Sequence, residues 1–281
     1  MGKICRYIIQ GGIQMLGKLI KYDLKYGVRI FIILHVILIA VCTLGRFFYM
    51  EKISFNAPAN TIIPSLIVFC SVLILLFTAV CFGMTALIAV RFYKNLFTDE
   101  GYLTWTLPAT ATQHLWAKII SGVIWETGNL LLCSLGLWIL VSGDNVTTAY
   151  AAISSEVTVS LGMTISQFGM TGLLYGILGT IGSVIFIYLC IGVGQLFPGH
   201  RVLCSIVMYV ILSAVTQMIT FALMFAFHIA PGSTNYVLMT GTSATYYMMT
   251  SFRISAIMSV LLIIVGYIGI HYIMNKKVNL N

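Results

Sequence analysis

"PSLIVFCSVLILLFTAVCFGMTALIAVR", residues 64–91, runs from a proline to an arginine with no Asp, Glu, Lys, Arg or His in between. Roughly 20 apolar residues in a helix cross the hydrocarbon core of a bilayer. This run is longer than that and has no polar–apolar alternation. It also exceeds a barrel strand about twofold, so it reads as a membrane-spanning helix, which satisfies its own backbone polar groups.

The rest of the chain repeats the pattern. Its 281 residues are 60% hydrophobic, and the mean hydropathy is +1.02. A soluble fold of this length needs a far more polar surface. Six runs qualify as spans: about 30–48, 65–90, 119–141, 168–197, 202–227 and 254–274. The expected fold class is an all-α integral membrane protein, with residues 1–281 forming one transmembrane domain of six transmembrane helices.

Lysine and arginine fix the expected orientation. Of the 15 Lys and Arg, only Arg46, Lys52 and Arg253 fall on one side of this layout; the others fall on the side of both termini. The topology is therefore N-in and C-in. The net charge of +8 follows from that topology, and anionic lipid is its expected partner rather than nucleic acid. The seven cysteines are scattered, with no C-x-x-C and no Cys/His ligand spacing, so neither a metal site nor a disulfide framework is expected.

Ahead of the first span, "MLGKLIKYDLKYG" (15–27) puts Leu16, Leu19, Ile20 and Leu24 on one helical face and Lys18, Lys21 and Lys25 on another. That is the pattern of an amphipathic helix lying in the inner interface; the alternative is a polar lead-in. Met15 can serve as a start, which would make 1–14 an extension, and the polar beginning gives no cleavable signal peptide. Two outer connections are long. Residues 142–167 are Ser/Thr-rich and carry Asp144 and Glu156, while 228–253 has no Asp, Glu, Lys or Arg before Arg253 and is expected to re-enter the outer leaflet. The fourth span carries Gly172 and Gly176 at G-x-x-x-G spacing, which permits close helix approach within one subunit or between two.

Glu126 lies about 12 Å past Lys118 along the third span, and His35 about 9 Å past Arg29 along the first. Asn129 is one turn beyond Glu126. A carboxyl inside the membrane is costly and points to function by default. Glu126, His35 and Asn129 are thus a candidate substrate pathway, and the competing reading is a structural hydrogen bond from Glu126 to His35 or Asn129.

Charge returns in "RFYKNLFTDEGYLTWTLPATATQHLWAK" (91–118). Thr98 can cap a short helix whose first turn carries Asp99 and Glu100, complementing the helix dipole. Tyr102, Leu103, Trp105 and Leu107 follow, Pro108 ends the piece, and Thr110 with Gln113 has capping-box spacing for the next helix. The expected product is a helix–short helix–helix elbow that exposes aromatics and leucine as an interface hot spot. An aromatic belt at the membrane surface would explain Tyr and Trp, but not two acids facing an anionic leaflet.

The stretch "DEGYLTWTLPATATQHLWAK" (99–118) resembles the E-x-G-[TY]-L-x-x-x-L-x-x-P…K segment after the second span of ABC-2 type transporter permeases. Here Leu107 stands directly before Pro108, a shorter spacing than in the longer family pattern. Similarly, "LIKYDLKYGVRIF" (19–31) resembles the amphipathic connecting helix of short Firmicutes permeases. The resemblance implies a homo- or heteromeric dimer of six-span halves in the bacterial cell membrane. An ABC ATPase would dock on each cytoplasmic coupling elbow, through Asp99, Glu100, Gly101, Tyr102, Leu103, Trp105 and Leu107. ATP and Mg would belong to that separate subunit, because this chain has no G-x-x-x-x-G-K-[ST] loop; it is not expected to be an enzyme or to hold a cofactor of its own. The implied function is outward transport of a peptide, lipid or drug-like substrate. The alternative is a proton-coupled secondary transporter using Glu126 and His35, although no inverted repeat is evident. A membrane hydrolase lacks H-E-x-x-H and G-x-S-x-G, and a purely structural membrane partner is the remaining class.

Overall fold

The computed structural model describes residues 2–53, 58–227 and 241–276. Eight α-helices account for nearly all of them: α1 Gly2–Phe48, α2 Ala59–Phe97, α3 Asp99–Trp105, α4 Ala111–Val141, α5 Asp144–Leu161, α6 Ile165–Gly194, α7 Arg201–Ala226 and α8 Gly241–Lys276. A single 3-10 turn, Met50–Lys52, follows α1. No strand occurs among the described residues. Six of the helices are long and apolar enough to cross a membrane, and each overlaps one of the six runs expected from the sequence, the fourth and fifth ending at Gly194 and Ala226 rather than at 197 and 227. The chain is an all-helical, multi-pass membrane protein.

Several boundaries differ from expectation. The amphipathic 15–27 stretch is continuous with the first span inside α1, whose 47 residues make it about 70 Å long at 1.5 Å per residue. That is more than twice the roughly 30 Å of hydrocarbon it has to cross. Helix α2 begins at Ala59, so Pro64 sits inside it rather than ahead of it. The Ser/Thr-rich connection 142–167 contains a full helix, α5, ended by Gly162 at φ 62. Helix α8 starts at Gly241 and absorbs the second half of the expected 228–253 loop. Residues 228–240 lie outside the described residues, as does Lys277.

Helix α1 packs along α4, α6 packs along α8 and α7, and α4 joins the two groups by crossing α6. The main core sits toward the end where Arg91, Lys118 and Arg201 lie, called the basic end below. There Phe92 and Leu96 of α2, Leu115 of α4, Val184 and Tyr188 of α6 and Ile270 of α8 are buried together. Phe92 stacks on Tyr188 with ring centroids 3.8 Å apart. The crossing is tight because of Gly122, where an added Cβ would stand 2.7 Å from the Tyr188 hydroxyl. Small residues of this kind let membrane helices approach closely where no hydrophobic force drives them together. Of the G-x-x-x-G pair, Gly176 faces Leu130 of α4 in the same chain, with 2.9 Å to an added Cβ.

Candidate functional site

At the basic end, four charged side chains from four helices meet. Asp23 of α1 and Lys118 of α4 are 7% and 4% exposed, and the Lys118 ammonium donates to an Asp23 carboxylate oxygen at 2.5 Å. Arg91 of α2 brings its Nε to 3.4 Å from the same oxygen, an electrostatic contact without hydrogen-bond geometry. Its Nη1 lies 3.9 Å from Glu100 of α3, and its guanidinium sits over the Tyr26 ring at 4.1 Å. Two cations and one carboxylate at such distances in a largely buried setting interact strongly, and removing one member leaves the rest uncompensated. The Tyr188 hydroxyl donates to the Lys118 carbonyl at 3.0 Å, binding the cluster to α6 as well.

Asp23 was not among the sequence candidates, although a signal existed. It falls on the Leu16–Leu19–Ile20–Leu24 face of an otherwise lysine-rich amphipathic helix. An acid on the apolar face of such a helix calls for a buried cation. Lys18, Lys21 and Lys25 are exposed, as the amphipathic reading requires.

The elbow forms where expected, but its faces divide differently. Thr98 is the N-cap residue of α3, yet its hydroxyl does not cap; it donates backward to the Lys94 carbonyl at 2.6 Å. The Thr98 carbonyl instead accepts from Gly101 N at 2.7 Å. Gly101 is buried against α2, where an added Cβ would lie 2.8 Å from the Leu96 carbonyl group. Trp105 is half-buried: its indole N–H donates to the Leu96 carbonyl at 3.1 Å and its ring leans on His114. Gly101, Thr104 and Trp105, spaced i, i+3, i+4, thus fasten α3 to α2 and α4. Gly101 and Trp105 are therefore supports of the elbow rather than parts of its free face. The free face carries Asp99, Glu100, Tyr102, Leu103 and Leu107, with Tyr102 67% and Leu103 69% exposed. The capping box of α4, Thr110 with Gln113, is present in both directions.

The second polar place is deeper. His35, Glu126 and Asn129 are all buried. The geometry brings His35 to Asn129, with Nε2 3.0 Å from Oδ1, while His35 Nδ1 lies 2.8 Å from the Phe31 carbonyl. A neutral ring donating from Nδ1 presents Nε2 as an acceptor and matches the amide N–H of Asn129; a doubly protonated ring matches the amide oxygen. Glu126 accepts from the Thr85 hydroxyl at 3.2 Å. Each expected polar residue therefore has a partner on a different helix. A glutamine retains the oxygen that Thr85 needs. Glu126→Gln is accordingly expected to shift unfolding free energy by less than about 1 kcal/mol, measured by thermal unfolding in detergent. A loss of several kcal/mol would mean that the charge itself holds α2 to α4.

Among the described residues, no group of three or more His, Cys, Asp or Glu side chains could hold a metal ion. Compared with known proteins, the chain matches no family model, no curated protein and no solved structure.

Proposed function

We propose that this chain is the membrane permease subunit of an ATP-driven exporter of ABC-2 type, working as a homo- or heterodimer in the bacterial cell membrane with separate ATPase subunits. The observation that carries the reading is the α3 elbow. It presents Tyr102, Leu103 and Leu107 with two acids at the basic end, and it is fastened to three spans: to α2 through Leu96, to α4 through His114, and to α1 through the Glu100–Arg91–Asp23 chain. An ATPase that shifts with nucleotide has to pass movement to the spans, which needs a contact rigidly joined to several of them. No nucleotide-binding loop is present in the sequence, so hydrolysis belongs to the partner. Its cargo is a peptide, lipid or drug-like molecule, the class that the family resemblance implies.

The test is co-expression with a candidate ABC ATPase subunit from the same genome, followed by co-purification and ATP hydrolysis in nanodiscs. Truncating an exposed aromatic anchor typically costs about 2 kcal/mol, or thirtyfold in affinity. Tyr102→Ala with Leu103→Asp is therefore expected to strip the ATPase while the permease stays monodisperse, and Asp99→Asn to weaken binding only a few-fold. Unchanged ATPase binding in the double variant would sink the docking role.

A further inference from the structure

Helices α7 and α8 flank an open cleft of ≈ 320 Å³ whose polar lining is Thr216, Gln217 and Thr220 on one side and Ser251, Ser255 and Ser259 on the other. Its depth follows from the helix rise. Gln217 stands about 24 Å beyond Arg201, and Ser259 about 26 Å before Lys276, at 1.5 Å per residue. The cleft therefore lies in the half of the bilayer away from the basic end. It shares no residue with the charged cluster, the elbow or the His35–Asn129 pair.

Six uncharged polar side chains converging at membrane depth are not explained by packing alone. Thr216 and Thr220 donate to carbonyls within their own helix, at Ser213 and Thr216, and Ser251 donates to Tyr247. With their protons committed, these hydroxyls offer acceptor lone pairs to the cleft. Gln217 supplies two N–H donors and a carbonyl, and it has no hydrogen-bond partner among the described residues. Gln217 is exposed, and an amide that faces hydrocarbon without a partner costs about 2–7 kcal/mol, which favours an occupant that hydrogen-bonds.

The lining also limits what that occupant is. It holds no Asp, Glu, Lys, Arg or His. A charged headgroup would lose its hydration there with nothing to balance it. The volume falls at the small end of ligand pockets, enough for a headgroup and the start of a chain. We infer that the α7–α8 cleft is a binding site for the neutral, hydroxyl- or amide-bearing headgroup of an amphiphile in the outer half of the bilayer. Gln217 donates to it, and the Thr216, Thr220 and Ser251 hydroxyls accept from it. The site stands independently of the exporter reading.

The test is photolabelling of the full chain in phosphatidylcholine nanodiscs. Four probes carry the same diazirine acyl or alkyl chain: a monoacylglycerol, an N-acyl glycinamide, a phosphatidylglycerol and a headless alkane. The first two represent a lipid and an acylated peptide amide as sources of the same chemistry. At least one of them is expected to label α7 and α8 peptides about tenfold more than the alkane, and to be competed by its unlabelled form. The difference between the two identifies the source. Gln217→Leu with Ser255→Val, which changes two exposed positions, is expected to abolish that excess while alkane labelling is unaffected. Equal labelling by alkane and neutral probes, equal labelling by phosphatidylglycerol, or an undiminished excess in the double variant would each overturn the site.

Discussion

Asp23→Asn is expected to destabilise the folded protein by about 3–5 kcal/mol, the cost of removing one partner from a buried ion pair. Lys118 is 4% exposed and donates its hydrogen bond to the Asp23 carboxylate, so the variant leaves a buried ammonium facing a neutral amide. Arg91 fares better, since it retains Glu100 and the Tyr26 ring. The measurement is SDS-titrated unfolding in mixed micelles, followed by tryptophan fluorescence. A double-mutant cycle separates pairing from burial. Asp23→Leu with Lys118→Met replaces the pair by apolar groups of similar size and is expected to recover most of the loss. A cost below about 1 kcal/mol for Asp23→Asn would mean that water compensates the lysine.

Trp105→Ala is expected to cost about 3 kcal/mol, at the lower end for tryptophan truncation because the side chain is half-buried. The loss is local. The indole spans the gap between the Leu96 carbonyl and the His114 ring, and without it α3 is left with Gly101, Thr104 and the solvent-exposed Glu100–Arg91 contact against α2. Hydrogen–deuterium exchange over residues 98–110 is expected to rise sharply while exchange in α6 does not change. Trp105→Phe retains most of the packing and forfeits a single hydrogen bond, worth about 1 kcal/mol. Unaltered exchange in Trp105→Ala would show that the elbow is held from elsewhere. The experiment also separates support from docking: Tyr102 and Leu103 are expected to change partner binding without changing exchange, and Trp105 to change both.

The elbow illustrates where sequence reading is strong and where it stops. Thr110 with Gln113 is a local pattern, and the capping box forms as its spacing dictates. Thr98 has the same chemistry and sits at the right position, yet its hydroxyl turns back to Lys94. Both alternatives are open to a threonine at a helix junction, and the entry of α3 against α2 decides between them. Likewise, Tyr102, Leu103 and Trp105 look alike as exposed hydrophobes in a string. The i, i+3, i+4 grouping of Gly101, Thr104 and Trp105 separates them, but only once the direction of α2 relative to α3 is known.

Six spans, their helical character and the uneven distribution of basic residues were fixed by the sequence alone, because the bilayer constrains each segment separately. Its hydrocarbon demands length, apolarity and self-satisfied backbone from every crossing, whatever its neighbours. Helix α5 escaped that reading because its Ser/Thr-rich residues carry no such constraint. Only the tertiary structure decided which polar groups meet. Asp23 and Lys118 are 95 positions apart, His35 and Asn129 are 94 apart, and Glu126 turns to Thr85 on α2. These pairings depend on which helices are neighbours and how each is rotated. That is set by packing among near-equivalent apolar surfaces, where small residues such as Gly122 choose the close contacts and the buried charges must then find one another.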